Sequence, residues 1–119
     1  TYNRARFLPA AVASVLSQTF GDFELIIVDD GSEDNTPDVL KPFLADRRVR
    51  YVYQENQGQS HARNLALKQA TGDFIAFLDS DDVWARDKLE KQLAVFRANS
   101  EVDIVHGDEA IINEQGSVG

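Results

Sequence analysis

The chain alternates between short apolar segments, which suit strands, and amphipathic segments, which suit helices. Residues 23–28 and 74–78 are apolar runs typical of strands covered on both faces. Val49–Gln54 is rich in β-branched and aromatic residues and predicts a third strand. Apolar residues at helical spacing predict helices over about 7–18, 37–44, 61–70 and 86–99. Shorter apolar stretches favour further strands at 102–105 and 111–112.

This alternation of strands and helices predicts an α/β fold with a mostly parallel sheet, right-handed crossovers and helices on both faces. Ligands of such sheets bind beyond the carboxyl ends of the strands. A polar segment follows each of the first three predicted strands: DDGS, ENQGQSHARN and DSDD. We therefore expect these three segments to meet on one rim of the sheet.

Composition narrows the possible functions. A chain of 119 residues is one domain or part of one, and its lack of Cys excludes disulfides, thiolate catalysis and Cys-ligated metals. A net charge of −8 argues against general binding to nucleic acid or anionic membranes. The longest apolar runs are too short to span a membrane.

The aspartates of DSDD crowd like charges together directly after an apolar run. Such crowding becomes favourable when a divalent cation lies among the carboxylates. Asp79 and Asp81 supply a pair of oxygen donors, which is half of a Mg²⁺ or Mn²⁺ site that the phosphates of a ligand would complete. The alternative is a solvated loop in which Asp81 or Asp82 caps the following helix.

Two other polar segments carry candidate ligand contacts. Arg63 is expected in the first turn of its helix, after a cap at Ser60, where free backbone N–H groups and its guanidinium would favour a phosphate. The alternative is a surface Arg paired with an acidic neighbour. Asp29 and Asp30 end the first strand and could accept from a base or from ribose hydroxyls. Either could instead cap its own loop through local N–H groups.

Four further polar or aromatic residues lie in or beside these segments. Tyr2 offers an aromatic face for a base, and Asn3 could cap the first helix. His61 is interpreted as a surface imidazole without a catalytic role. Trp84 is interpreted as a core or lid residue rather than a platform for a sugar.

Several linked stretches resemble a known family. The stretches that carry the resemblance are, in this order, TYNR, SVLSQTF, FELIIVDDGSEDNT, NQGQSHARNLAL and GDFIAFLDSDD. The chain resembles the donor half of family 2 glycosyltransferases, which have the Rossmann-like GT-A fold. The resemblance covers nearly the whole chain, and the shared order argues against a chance match. The whole of 1–119 is thus expected to be the part of a catalytic domain that binds the nucleotide sugar.

The resemblance implies an inverting transfer of a sugar from a nucleoside-diphosphate sugar, with uridine as first choice, to a hydroxyl acceptor on a glycan or a lipid-linked sugar. It also implies Mn²⁺ or Mg²⁺, a role in polysaccharide or cell-wall synthesis, and a cytoplasmic location that includes the inner face of the membrane. The residues it assigns to the nucleoside and diphosphate are Tyr2, Asp29, Asp30 and Arg63. Asp79 would approach the ribose or the metal, and Asp81 would ligate the metal.

The sequence departs from the family pattern at both ends. Family members carry a central strand before the TYN stretch and a second half that holds the acceptor site and a carboxylate base. We therefore expect a longer protein, with the base beyond Gly119 and a middle strand between 25–28 and 75–78. Without that strand, the 119 residues alone are expected to be marginally stable, prone to swapping or aggregation, and inactive in transfer.

Two rival functions stay open on the sequence. A phosphoacceptor receiver domain also combines an acidic pair with a later Asp on a doubly wound sheet, but it would need a Lys that VHGDEA does not supply. A non-catalytic module that binds nucleotide sugars is the second rival.

Overall fold

A computed structural model describes residues 1–112 of the chain. Its elements, in chain order, are α1 (Leu8–Leu16), β1 (Leu25–Asp30), α2 (Thr36–Leu40), a 3-10 helix (Lys41–Ala45), β2 (Val49–Gln54), α3 (Gln59–Gln69) and α4 (Lys88–Ala98). The alternation of helices and strands confirms the predicted α/β class. Within residues 1–112, no helix is both long enough and apolar enough to cross a bilayer.

The two strands pair in parallel, from Leu25 opposite Val49 to Asp30 opposite Gln54. The carboxyl half of β1, from Ile27 onward, is buried. The core packs one face of α1 and the end of α2 against this pair; its buried members are Leu8, Val12, Ile27, Leu40 and Val49. Since the strands are parallel, their carboxyl ends share one rim, as the sequence predicts.

Helix α1 follows from the spacing of its apolar residues. Leu8, Val12 and Val15 recur on one face, and each is at most 4% exposed. Pro9 lies in the first turn, where its missing N–H costs no hydrogen bond. Burying each of these side chains contributes about 1.5–3 kcal/mol. Amphipathic patterning therefore sets the position of α1 on the sheet.

The prediction of a buried strand at 74–78 is wrong for this structure. No strand forms there, and Phe74, Ile75 and Phe77 are 54%, 47% and 55% exposed. Within the described residues, no backbone hydrogen bond joins 74–78 to β1. A strand needs a partner about 4.7–4.9 Å away. Here a cavity of about 1180 Å³, which we call the central cleft, separates 74–78 from β1.

The edge of β1 that faces the central cleft carries a strand-like contact. Thr1 donates its amino group to the Val28 carbonyl (2.6 Å), and the Asp30 N–H donates to the Thr1 carbonyl (2.9 Å). These two bonds flank Asp29 as parallel pairing would. Direct pairing of β1 with 75–78 would have contradicted the expected middle strand, and no such pairing occurs in the described chain. That strand itself stays a prediction.

Other boundaries differ from the sequence predictions. No strand forms at 102–105, where Ile104 is 82% exposed, and the expected strand at 111–112 is reduced to an isolated bridge at Ile112. Within residues 1–112 the one sheet is the β1–β2 pair, and neither stretch belongs to it. α3 begins at Gln59, after Gly58 rather than after a cap at Ser60.

Gly31 offers a test of the turn that follows β1. Its φ is +80°, and an added Cβ would lie 2.8 Å from the Asn56 backbone nitrogen. We expect Gly31→Ala to lower the free energy of unfolding by at least about 1–2 kcal/mol, because of the left-handed backbone and the clash. Gly21, where an added Cβ would meet no atom within 4 Å and φ is not positive, is the control. Equal urea midpoints for Gly31→Ala and Gly21→Ala would contradict this prediction.

Candidate functional site

The central cleft brings together most of the residues that the sequence singles out. Tyr2, Asp30, Arg63, Asp79 and Asp81 all line it. They come from the chain start, the end of β1, α3 and the loop that follows 74–78. The lining combines apolar side chains with charges of both signs, so a ligand with an anionic part and a polar ring would meet complementary groups there.

Asp30 is held in the rim by three hydrogen bonds. Its carboxylate accepts from Gln54 Nε2 (2.6 Å), the Gln57 N–H (2.8 Å) and the Gly58 N–H (2.8 Å). Burial opposes ionisation of this carboxyl, but the hydrogen bonds outweigh burial and hold its pKa below the usual 3.8. Asp30 therefore joins the end of β1 to the end of β2 and to the start of α3.

Asp29 has a different environment from Asp30. Its side chain is fully buried, and its two oxygens accept from the Tyr51 hydroxyl (2.7 Å) and the Ser32 N–H (2.9 Å). Burial and the bond to Asp29 raise the pKa of Tyr51. The bond from Ser32 is the loop cap that the sequence left open as an alternative. A nucleotide contact by Asp29 stays a prediction.

Asn3 links the chain start to the loop after β1. It has a φ of 50°, its N–H donates to Ser32 Oγ (2.9 Å), and its Oδ1 accepts from the Glu33 N–H (2.8 Å). The predicted cap of α1 is therefore wrong, because the Asn3 side chain is used across the rim instead. This link leaves Tyr2, 44% exposed, at the mouth of the cleft.

We call residues 79–82 the acidic loop. Asp79 accepts from Arg63 (2.7 Å), and Asp81 pairs with Arg4 at 3.5 Å. Burial and the charges of Asp81, Asp79 and Glu109 raise the pKa of Asp82. Each of the two arginines thus neutralises one of the aspartates that the sequence assigns to a metal.

The acidic loop is by itself an incomplete metal site. Within residues 1–112, no three His, Cys, Asp or Glu side chains are grouped to hold an ion. Two carboxylates nevertheless suit Mg²⁺ or Mn²⁺, which complete their shells with water and phosphate oxygens. The donor set therefore fits a cation that arrives with a diphosphate.

Arg63 does not lie where the sequence predicts. α3 begins at Gln59, so Arg63 falls in its second turn and beyond the free N–H groups. The N–H groups of Gln57 and Gly58 just before the helix go to Asp30. Arg63 instead reaches the rim through its long side chain, which passes over the Phe77 ring at 5.6 Å.

His61 and Trp84 lie to the side of these contacts. His61 is exposed and lines a second pocket, formed by α3 and the end of β2, consistent with a surface imidazole. Trp84 is half-buried in the wall of the central cleft.

Three residues of the site escaped the sequence analysis. Arg4 was visible in TYNR, but nothing local places it against Asp81. Gln54 lies at the end of β2, and its pairing with Asp30 depends on strand register. Gln18 belongs to SVLSQTF. Its side chain makes hydrogen bonds to Ala85 and Leu89, which lie 67 and 71 residues further along the chain.

A family model described as glycosyl transferase family 2 matches residues 1–115. The chain belongs to glycosyltransferase family 2. Membership of this family sets aside the receiver-domain alternative.

Two curated glycosyltransferases are similar to the chain. The chain is 42% identical, over 120 residues, to the Escherichia coli UDP-Glc:alpha-D-GlcNAc-diphosphoundecaprenol beta-1,3-glucosyltransferase WfgD, covering 100% of this chain and 47% of WfgD. It is 50% identical, over 95 residues, to the putative teichuronic acid biosynthesis glycosyltransferase TuaG of Bacillus subtilis, covering 78% of this chain and 38% of TuaG. The chain therefore spans less than half the length of these relatives.

The crystal structure of Staphylococcus aureus TarS 1–349 in complex with UDP-GlcNAc superposes with a TM-score of 0.80 at 27% identity. The match covers 96% of this chain and 36% of TarS 1–349. This agreement confirms the GT-A fold class predicted from the sequence.

Acid titration would test the bonds that hold Asp30. Its pKa is lower in the folded protein than the usual 3.8, so its stabilisation is complete above about that pH and disappears as pH falls through the folded value. We expect Asp30→Asn to lower the free energy of unfolding at pH 7 by about 1–3 kcal/mol, because an amide cannot accept all three bonds. The difference from wild type should shrink toward pH 2.

Asp38→Asn is the matched control, since Asp38 is exposed and pairs only with Lys41 among the contacts described. Urea unfolding from pH 2 to pH 7 provides the measurement. A constant difference between Asp30→Asn and wild type over this range would contradict the role of the Asp30 carboxylate.

Proposed function

We propose that the chain forms the donor-binding part of an inverting glycosyltransferase, which transfers a sugar from a nucleoside-diphosphate sugar to a hydroxyl acceptor. The observation that carries the proposal is that Tyr2, Asp30, Arg63, Asp79 and Asp81 line one cleft in a family 2 chain. Titration of the chain with UDP, with and without Mn²⁺, tests it.

UDP is the proposed nucleotide. WfgD is named for a UDP-Glc donor, and TarS was crystallised with UDP-GlcNAc. In this chain the Tyr2 ring would pack on the uracil, and Asp30 would lie near the nucleoside. Arg63 would pair with the diphosphate, for which a guanidinium supplies two parallel hydrogen bonds. The donor sugar is left open.

Asp79 and Asp81 are proposed to hold Mn²⁺ or Mg²⁺ together with the diphosphate. When bound, the cation would act as a Lewis acid for the departing nucleoside diphosphate. Arg63 and Arg4 neutralise these two carboxylates in the structure described. We propose that both arginines exchange their carboxylate partners for phosphate oxygens as the ligand arrives.

The chain spans less than half the length of WfgD and TuaG, so the rest of the reaction is proposed for the full-length protein. Inversion needs a base that deprotonates the acceptor hydroxyl, and we assign that role to no described residue. The name of WfgD specifies a lipid-linked acceptor. From the resemblance to family 2, we propose a lipid-linked or glycan acceptor. We also propose a cytoplasmic location that includes the inner face of the membrane.

Metal dependence is the first expected property. UDP should bind more tightly with Mn²⁺ than without it. Asp81→Asn should remove this difference, because an amide is a weaker metal ligand than a carboxylate. The same substitution should leave the fold intact. Isothermal calorimetry of UDP, with Mn²⁺ and with a chelator, gives both affinities. Asp38→Asn is the control and should keep the difference. Equal affinity in both buffers for wild type would overturn the metal proposal.

The second expected property concerns the diphosphate. Arg63→Ala should weaken UDP binding about 10- to 100-fold, the equivalent of about 1.5–3 kcal/mol for charge-assisted hydrogen bonds. The salt dependence of binding should also become shallower, because one ion pair with phosphate is lost. Arg47→Ala, at an exposed position outside the central cleft, should change neither. Unchanged affinity in Arg63→Ala would exclude Arg63 from the diphosphate site.

The non-catalytic alternative is decided with the full-length protein. Release of UDP from a UDP-sugar in the presence of an acceptor would support transfer. UDP binding without release, over a panel of lipid-linked and glycan acceptors, would favour a binding module.

A further inference from the structure

The end of α1 contacts the segment that follows the acidic loop. Gln18 is only 7% exposed, and both the nitrogen and the oxygen of its side-chain amide make hydrogen bonds. Its Nε2 donates to the Ala85 carbonyl (2.7 Å) and to the Ser14 carbonyl (3.2 Å), and its Oε1 accepts from the Leu89 N–H (3.0 Å). One side chain therefore holds both ends of 85–89 against α1.

Two neighbours of Gln18 add parallel contacts. The Trp84 N–H donates to Ser14 Oγ (3.0 Å). The Thr19 N–H donates to the Arg86 carbonyl (2.9 Å). We call Ser14, Gln18 and Thr19 the Gln18 clamp. The Trp84 and Leu89 N–H groups have clamp atoms as their described partners, so loss of the clamp should displace the segment.

The acidic loop has only one end held in this way. On its N-terminal side, residues 74–78 make no backbone hydrogen bond to the rest of the described chain. On its C-terminal side, the clamp begins at Trp84, two residues after Asp82. Side-chain contacts do reach the N-terminal side, where the Phe74 and Phe96 rings lie 4.7 Å apart. The hydrogen bonds that hold the backbone beside the acidic loop, however, come from the C-terminal side.

We propose that Gln18 is a positioning residue: its amide holds the acidic loop where Asp79 and Asp81 meet the cation and the diphosphate. The inference rests on the proposed function for its link to the ligand. Partners that orient metal ligands typically change metal affinity by about 10–100-fold when removed, and Gln18 would belong to this class although it touches no ligand itself.

A purely structural clamp makes a different prediction. If Gln18 only attached the start of α4 to α1, its loss would lower the stability of the fold and leave the metal dependence of UDP binding unchanged. Val49→Ala reproduces that case, because Val49 is a buried core residue of β2 outside both the clamp and the central cleft. The two variants can therefore be compared at similar loss of stability.

The first measurement needs no ligand. Trp84 is the single Trp of the chain, so its fluorescence reports directly on the clamped segment. Gln18→Met keeps the length of the side chain and removes its hydrogen bonds, and it should increase quenching of Trp84 by acrylamide. Gln69→Met, the same change at the end of α3 where Gln69 accepts from Arg50, should not. Equal quenching in Gln18→Met and wild type would overturn the clamp.

The second measurement links the clamp to the ligand. Gln18→Met should reduce the Mn²⁺-dependent gain in UDP affinity about 10–100-fold or abolish it if the gain is smaller, whereas metal-free UDP affinity should stay nearly unchanged. Val49→Ala should keep the full Mn²⁺-dependent gain. If Gln18→Met and Val49→Ala retain the same gain, the positioning role is wrong.

Ser14→Ala provides a second variant in case Gln18→Met does not fold. It removes the bond from the Trp84 N–H and the bond that Ser14 Oγ donates to the Ala11 carbonyl within α1. It also places a strong helix former in α1, so it should fold and still increase acrylamide quenching. If wild type shows no response of UDP binding to Mn²⁺, the proposed metal function fails and the link to Gln18 fails with it. The quenching result then still decides whether the clamp holds the loop.

Discussion

The arrangement of the rim depends on the hydrogen bonds that the Asp30 carboxylate accepts. This carboxylate is buried at the end of β1, and it accepts from the end of β2 and from two N–H groups at the start of α3. Parallel pairing alone would bring the strand ends together, but it would not fix the loop that leads into α3. Because Asp30 supplies the missing acceptors, α3 starts at a defined point and carries Arg63 to the cleft.

The charges around the cleft are paired in a way that leaves them exchangeable. Arg63 pairs with Asp79 and Arg4 with Asp81, and all four side chains are about half exposed. Exposed ion pairs contribute only about 0–1 kcal/mol. The arginines can therefore change partners at small cost, whereas Asp30, buried and bonded three times, stays in place. The rim thus combines the fixed Asp30 carboxylate with two arginines, Arg63 and Arg4, that can exchange their partners.

The wall of the cleft opposite β1 is organised differently from the sheet. The segment 74–78 makes no backbone hydrogen bond to other residues within 1–112, and the acidic loop is held from its C-terminal side by the Gln18 clamp. Contacts from α1 thus hold the acidic loop in place, as strand pairing holds β1 and β2 together. This explains how a loop rich in like charges can keep a defined position beside an open cleft.

The sequence by itself determined the elements whose signals are local. Val49–Gln54 forms the predicted strand with the predicted bounds, and α1, α3 and α4 lie where apolar spacing puts them, within a few residues. The order of the polar segments also predicted which of them share the rim, because parallel strands place their carboxyl ends together.

Only the tertiary structure decided how those segments contact one another. An apolar run at 74–78 fits a strand, but pairing needs a neighbour that composition cannot supply. The partners of Asp30 and the contacts of Gln18 join residues far apart in the chain. Such contacts depend on strand register and on how α1 packs, which no local pattern encodes.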